Sequence, residues 1–427
     1  MDQGIYSAYI KILEEELIPA MGCTEPISIA YAAAKARKVL GCIPEKMDIQ
    51  ASPNIIKNVK SVIVPNTGSL RGIDAAAVAG AVAGEADDEL QVLSHVAKEQ
   101  IPAISEALSR IACTVKSSDN GYVFYISVQA AAGEHAAKVV IAGNHTNVIH
   151  IEKDGEILLD HPYTEAAPAE KSDHAVLNVQ DIVDFADTVR IEDVEPVISR
   201  QIACNTAIAE EGLRSSWGAN IGSILLRSYG GSVHNRAKAY AAAGSDARMS
   251  GCEMPVVINS GSGNQGLTAS LPVIVYAKEL SVSRETLYRA LVVSNLVTIH
   301  LKTGIGPLSA YCGATSAGCG AGAGICYLYG GKYSEISHTI VNALAINSGM
   351  ICDGAKPSCA AKIASAVEAG LLGMQMQSHD SQFCDGEGIV VKGVENTIRN
   401  VGKLAHDGMR ETDRMIIRMM TEKVSKG

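Results

Sequence analysis

The sequence predicts an α+β protein: an N-terminal α+β domain with antiparallel or mixed strands, followed by a large, mainly α-helical C-terminal domain. Three observations lead there. β-like alternation and turn dipeptides crowd into residues 113–159, strand signals all but vanish after residue 173, and the 47% of hydrophobic residues includes only 4% aromatics. A core with so few rings is built from Ala, Val, Ile and Leu, as in closely packed helices. At 427 residues the chain can bury a large core in two or three domains.

Composition also excludes. A net charge of −10 argues against a nucleic-acid surface. Met1-Asp2-Gln3-Gly4 lacks the basic start of a signal peptide, so the expected location is cytoplasmic with reduced thiols. The longest uncharged run, Thr303–Gly331, could span a bilayer by length, but its nine glycines make it a buried helical segment instead, and no membrane partner is expected.

Residues 6–18 place Tyr9, Ile12, Leu13 and Leu17 on one face of an amphipathic helix. Gly22-Cys23-Thr24-Glu25-Pro26 carries helix-start signals, with Thr24 as expected N-cap and Pro26 in the first turn of a helix over 27–40. Cys23 then sits at a helix N-terminus, where the dipole lowers a thiol pKa; the alternative is a buried thiol beside a cap. From Met47 to Pro65 the pattern is β-like, residues 73–84 and 86–110 are Ala-rich and helix-spaced with a break at Pro102, and strands return from Cys113 to Leu159. Asn120-Gly121, Gly133-Glu134-His135 and Asp154-Gly155 read as hairpin turns. Helices are expected near 178–188, 194–213, 217–228, 233–245, 266–279, 283–300, 306–328, 334–351, 358–371 and 390–423. The domains divide as 1–42, a helical segment carrying the GCTEP motif and packing at the active site, 43–165 and 166–427. Residues Arg236–Arg248 and Met409–Met420 read as packing or solvated surfaces without chemistry.

The densest chemistry lies between Gly304 and Lys362, which holds five of the eleven cysteines: Cys312, Cys319, Cys326, Cys352 and Cys359. Cys352 and Cys359 flank Asp353-Gly354-Ala355-Lys356-Pro357-Ser358, where Gly and Pro end one helix near Cys352 and let another begin near Ser358. Clustered cysteines in an intracellular enzyme are more often metal ligands or redox groups than bridges. Zinc usually takes pairs two to four residues apart, and the sequence has none. Iron–sulfur clusters accept wider spacings, and an iron without a protein thiolate is an open Lewis-acid position. Against this stands the ordinary reading of cysteine as a small buried hydrophobe.

This segment resembles the cluster-binding region in the alpha domain of iron–sulfur L-serine dehydratases, in the order Cys312, Cys352-Asp353-Gly354, Cys359. With Gly22-Cys23-Thr24-Glu25-Pro26 and Gly261-Ser262-Gly263-Asn264-Gln265-Gly266, the chain is closer still to the L-cysteine desulfidase family and its uncharacterised relatives. Gly354 replaces the Pro of the family turn, the gap from Cys352 to Cys359 is shorter, and the separate regulatory domain has no evident counterpart. The resemblance implies a 4Fe-4S cluster on Cys312, Cys352 and Cys359 and a β-elimination lyase. L-Cysteine would give pyruvate, ammonia and hydrogen sulfide; L-serine dehydration is the alternative.

Cys312, Cys319 and Cys326 recur every seven residues, but on one helix the outer two would be about 21 Å apart, so all three cannot serve one cluster. The resemblance selects Cys312 and leaves Cys319 and Cys326 as core thiols. Cys23, as thiolate, is the expected base for the α-proton or a displaceable ligand on the fourth iron. Ser262, Gly263 and Asn264 at a helix start form an anion pocket suited to an amino-acid carboxylate. Asn54, in a polar patch with Ser52, Lys57, Asn58 and Thr67, is a further substrate contact. The Gly-x-Gly-x-Gly pattern at 318–324 lacks a preceding strand, so it reads as helix packing rather than a dinucleotide site. His300 and His338 read as structural. The expected partners are the amino-acid substrate and a second copy of the chain in a homodimer. Two rivals are a pyridoxal-phosphate lyase using Lys356 and a non-catalytic iron–sulfur sensor or scaffold.

Overall fold

The structure is a computed structural model that describes residues 2–161, 163, 172–306 and 309–421. The expected domain boundary at 165/166 lies outside the described residues. Helix α1 (Gln3–Glu16) starts at Asp2, whose carboxylate accepts from the Gly4 N–H, and buries Tyr9, Ile12 and Leu13. Strand β1 (Pro19–Met21) precedes α2 (Thr24–Leu40). After β2 (Lys46–Ala51), Pro53 starts α3 (Pro53–Val59) instead of prolonging the strand, because proline at a first helical position costs no hydrogen bond. Helix α4 (Ile73–Ala83) follows. Residues 86–100 hold two short 3-10 turns, and a helix resumes only as α5 (Ile101–Arg110), with Pro102 in its first turn rather than at a break.

Five strands complete the sheet: β3 (Ala112–Ser117), β4 (Tyr125–Ala132), β5 (His135–Ala142), β6 (Val148–Lys153) and β7 (Glu156–Asp160). The order is β3-β2-β4-β5-β6-β7, and only the β2–β3 pair is parallel. Hairpins form at Gly133-Glu134 and Asp154-Gly155 as expected. Asn120-Gly121 makes no hairpin, because β2 lies between the strands it joins. Helix α2 packs on β4 and β5 and against α4.

The remainder is helical: α6 (Val179–Thr188), α7 (Ile191–Arg214), α8 (Ile221–Tyr229) and α9 (Val233–Met249), then β8 (Pro255–Val257), α10 (Gly263–Glu279) and α11 (Arg284–Ile305). Next come α12 (Gly313–Leu328), α13 (Tyr333–Ile346), α14 (Cys359–Ser378) and α15 (Val394–Lys403). A π turn at Leu404–Gly408 separates α15 from α16 (Arg410–Thr421), so residues 390–423 are not one helix. Among the described residues no helix is long and apolar enough to cross a membrane.

Helix α12 is the hub, packed by α10, α11, α13 and α14. Its glycines are contact points: a methyl on Gly318 would lie 2.2 Å from the Ala366 carbonyl oxygen of α14, and one on Gly320 2.4 Å from the Ser294 carbonyl of α11. Cys319 and Cys326 are buried in this helix. The expected helix over 306–328 begins only at Gly313, because Tyr311 pairs with Ile351 in an isolated antiparallel bridge. For the same reason α13 stops at Ile346 and Cys352 lies in extended chain rather than at a helix end. β8 pairs antiparallel with β1, which brings the start of α10 beside the start of α2.

Candidate active site

A cavity of about 490 Å³ opens where the two halves of the chain meet, and Cys23, Cys312, Cys352 and Cys359 all line it. The bridge that shortens α12 and α13 builds its thiol-bearing end. The Cys312 N–H donates to the Met350 carbonyl (2.8 Å) and the Cys352 N–H to the Ala310 carbonyl (2.6 Å), fixing the two residues side by side. Cys312 is the N-cap of α12 and Cys359 the first residue of α14. Between Cys352 and Cys359 the chain turns through Gly354 at φ +90°, where a methyl would lie 2.6 Å from the Lys57 carbonyl oxygen. Only glycine fits both demands, which accounts for its standing where the resembling family has proline.

The charge around these thiols is positive. Lys57, Lys302 and Lys362 line the same end. Lys57 is buried and ion-paired with Asp413 of α16 (2.6 Å), and Lys362 pairs with Asp353. A hydrogen bond with Cys312 and the cations Lys57 and Lys302 bring the Cys352 thiol down to about 6, against the effect of burial. Cys312, its partner in that hydrogen bond, is held up, so the pair as it stands shares one proton. Burial pushes Cys359 up and lowers Lys302 to about 8.

Around Cys23, which packs with Val62 and Met249 against Ala355 and Cys359, the lining is acidic. Cys23 is the N-cap of α2, displacing Thr24 from that role, and its side chain makes no capping bond. Its Sγ instead donates to Glu25 Oε2 (3.0 Å), while Asn58 Nδ2 donates to Oε1 (2.9 Å). Burial and the neighbouring Glu25 charge raise the Cys23 thiol well above its ordinary value. The thiolate expected from the helix dipole is therefore corrected to a protonated thiol: a buried carboxylate next to sulfur outweighs a terminal dipole. Burial alone would raise Glu25, but His145, the Cys23 hydrogen bond and Arg248 together leave it lowered and ionised. Thr24 Oγ1 donates to the Gly261 carbonyl (2.9 Å), joining this wall to the start of α10.

Ser262 and Asn264 line the cavity where α10 begins, with Ser262 as N-cap. Gly263 stands behind them, its absent side chain occupied by Arg248, whose Nε is 2.3 Å from where a methyl would sit. Asn54 is corrected: it does not line the cavity, because α3 turns Lys57 and Asn58 inward instead. Ser52 and Thr67 bond to the Val123 and Val64 carbonyls and are structural. His300 bonds Glu395 (2.7 Å), away from the cavity. Lys356 pairs with Asp353 and does not line the cavity.

Sequence reasoning missed Glu25, Arg248, His145, Gln265 and Lys302, all of which line the cavity. Glu25 stood inside the quoted motif; Arg248 was assigned to a surface yet is 2% exposed. His145, on the β5–β6 loop, left no sequence signal. Among the described residues no three His, Cys, Asp or Glu side chains are close enough to hold one metal ion. The donor set around the basic end is entirely sulfur, the chemistry of soft metals.

A family model described as serine dehydratase alpha chain matches residues 87–418. The span includes Arg248, the α10 start and the three clustered thiols, and omits Cys23, Glu25 and Asn58. A UPF0597 protein of Desulfitobacterium hafniense is 56% identical over 420 residues, covering 98% of both chains. One from Lachnoclostridium phytofermentans is 50% identical over 97% of this chain and 100% of its own. Another, from Treponema denticola, is 45% identical over 98% of this chain and 99% of its own.

Proposed function

The chain belongs to the serine dehydratase alpha-chain family and to the UPF0597 proteins, and we propose that it is an iron–sulfur-dependent lyase that β-eliminates the side-chain heteroatom of a small L-amino acid. L-Cysteine is the first substrate, giving pyruvate, ammonia and hydrogen sulfide. L-Serine is the second reading, favoured by the description of the matching family. One observation carries the proposal: Cys312, Cys352 and Cys359, distant in sequence, border a single cavity that also contains the Cys23–Glu25 pair.

A 4Fe-4S cluster would be held by these three thiolates, with Lys57, Lys302 and Lys362 offsetting their charge. The fit rests on the all-sulfur donors and on the proton already shared between Cys312 and Cys352. When bound, such a group supplies Lewis acidity toward the leaving heteroatom. The chain's own residues do the rest. The α10 N-terminus with Ser262 and Asn264 holds the carboxylate. Glu25 accepts the α-proton, directly or through Cys23, whose Sγ first passes its own proton to Oε2. With the α-proton and the β-heteroatom gone, aminoacrylate remains, tautomerises and hydrolyses to pyruvate and ammonia.

Anaerobic reconstitution with iron and sulfide, followed by pyruvate assays on L-cysteine and L-serine with Cys352→Ala as control, tests the reading. Pyruvate from one of them, lost in the variant, is the expected result. A reconstituted cluster with no pyruvate from either would leave the sensor or scaffold reading in its place.

A further inference from the structure

A second cavity, of about 650 Å³, lies at the far end of α12 from the thiols. Between the two ends the helix runs sixteen residues, Gly313 to Leu328, about 24 Å at 1.5 Å per residue, so the cavities are separate places. The second is framed by the starts of α9 and α13, the ends of α12 and α14, and Tyr276 in the last turn of α10. The chain leaves α12 tightly here: a methyl on Gly331 would lie 2.4 Å from Cys326 Sγ.

These helix ends supply an aromatic platform. Tyr329 is 57% exposed and meets the Tyr276 ring edge to face, with centroids 6.3 Å apart, and the Met374 thioether borders the same space. The charged groups at the rim are already paired within the protein. His234 bonds Glu368 (2.8 Å), Lys332 bonds Asp187 (2.9 Å), and Glu335 accepts from the Lys332 backbone N–H (2.9 Å).

One polar group is not paired. Tyr276 is 3% exposed and lines the cavity, yet its hydroxyl makes no hydrogen bond to any described residue. Burial pushes that hydroxyl up to about 12, so it keeps its proton and can donate as well as accept. An enclosed tyrosine hydroxyl ordinarily has a partner. Gln375 and Gln377, bordering the same cavity, likewise have side-chain amides that bond no described residue.

We propose that this second cavity binds an uncharged planar heteroaromatic molecule, its ring stacked on Tyr329 and its polar edge hydrogen-bonded to the Tyr276 hydroxyl and the two glutamine amides. A saturated ring of equal size has no π-face to stack, and a charged one meets only groups that are already paired. A nucleoside base and an indole share the required chemistry. Nothing in this assignment depends on the reaction at the thiols.

Calorimetry on the full reconstituted chain, kept anaerobic, would titrate adenosine and indole, with cyclohexanol as the non-aromatic control. At least one aromatic probe is expected to bind about tenfold or more tighter than cyclohexanol, and the one that does identifies the source. Adenosine monophosphate, which adds only charge, should bind no tighter than adenosine. Tyr329→Ala, at an exposed position, should weaken the aromatic probe about tenfold. Tyr276→Phe keeps the ring and removes only the hydroxyl, and should weaken it about fivefold. The assignment is overturned if neither aromatic outbinds cyclohexanol, if the monophosphate binds tighter than adenosine, or if either variant folds and keeps the wild-type affinity. Should one variant not fold, the other decides.

Discussion

Two thiols lining the same cavity stand in opposite states. Cys352 is brought down to about 6, with Lys57 and Lys302 beside it, whereas Cys23 is raised by burial and by Glu25. Burial raises both; what separates them is the neighbours, the Cys312 hydrogen bond and two lysines at Cys352 against the Glu25 carboxylate at Cys23. The basic end favours the thiolate form of its sulfurs. The acidic wall keeps a proton on sulfur beside an ionised, hydrogen-bonded carboxylate. A lyase needs both, one for the leaving group and one for the α-proton.

The contrast can be broken most severely at the basic end. Cys352→Ala should abolish iron and sulfide uptake and with it all pyruvate formation, a loss beyond the roughly 10–100-fold that supporting residues cost. Cys319→Ala, in the helix interior, should keep both, as iron analysis of the two variants would reveal. Next, at the acidic wall, Glu25→Gln removes the acceptor and the charge that raises Cys23. Turnover should fall about 100-fold or more, while the Cys23 thiol titrates at lower pH, read as thiolate absorbance against a Cys23→Ser control.

Lys302 sharpens the comparison through pH. Its folded pKa of about 8 lies below its ordinary 10.5. Between these values the unfolded chain binds a proton that the folded chain does not, so stability rises with pH across that window. The rise is about 3 kcal/mol, and Lys302→Met should remove it in denaturant titrations of the cluster-free chain at pH 8 and above. The smallest effect is expected at Gly354→Ala. It should cost about 1–3 kcal/mol, read as a lower melting temperature, and loosen cluster retention because the turn carries Cys352 towards Cys359.

Much of this was legible in the sequence, and the misses have physical causes. Helix identities after residue 178 followed from apolar spacing, a local property. Helix ends around the site did not, because the Tyr311–Ile351 bridge joins segments forty residues apart and ends both helices early. The parallel β2–β3 pair turned Asn120-Gly121 from a hairpin into a connection for the same kind of reason. Glu25 was visible but unassigned: a carboxylate two residues after Cys23 opposes the helix dipole and keeps the thiol protonated. Arg248 was misread because a charged residue on a helix is usually solvated, whereas this one is enclosed by the fold and packed against Gly263.

The sequence by itself determined the α+β class, the cysteine-rich stretch from Gly304 to Lys362 as the place to look, and a helix start near residues 262–266; the choice of Cys312, Cys352 and Cys359 within that stretch came from the family resemblance. Those properties reside in local composition and periodicity. Tertiary structure alone decided that Cys23 is a protonated thiol, that Asn58 and not Asn54 reaches the cavity, and that Arg248 completes it. Protonation state and accessibility depend on which charges and backbones come close in space, and chain order carries no record of that distance.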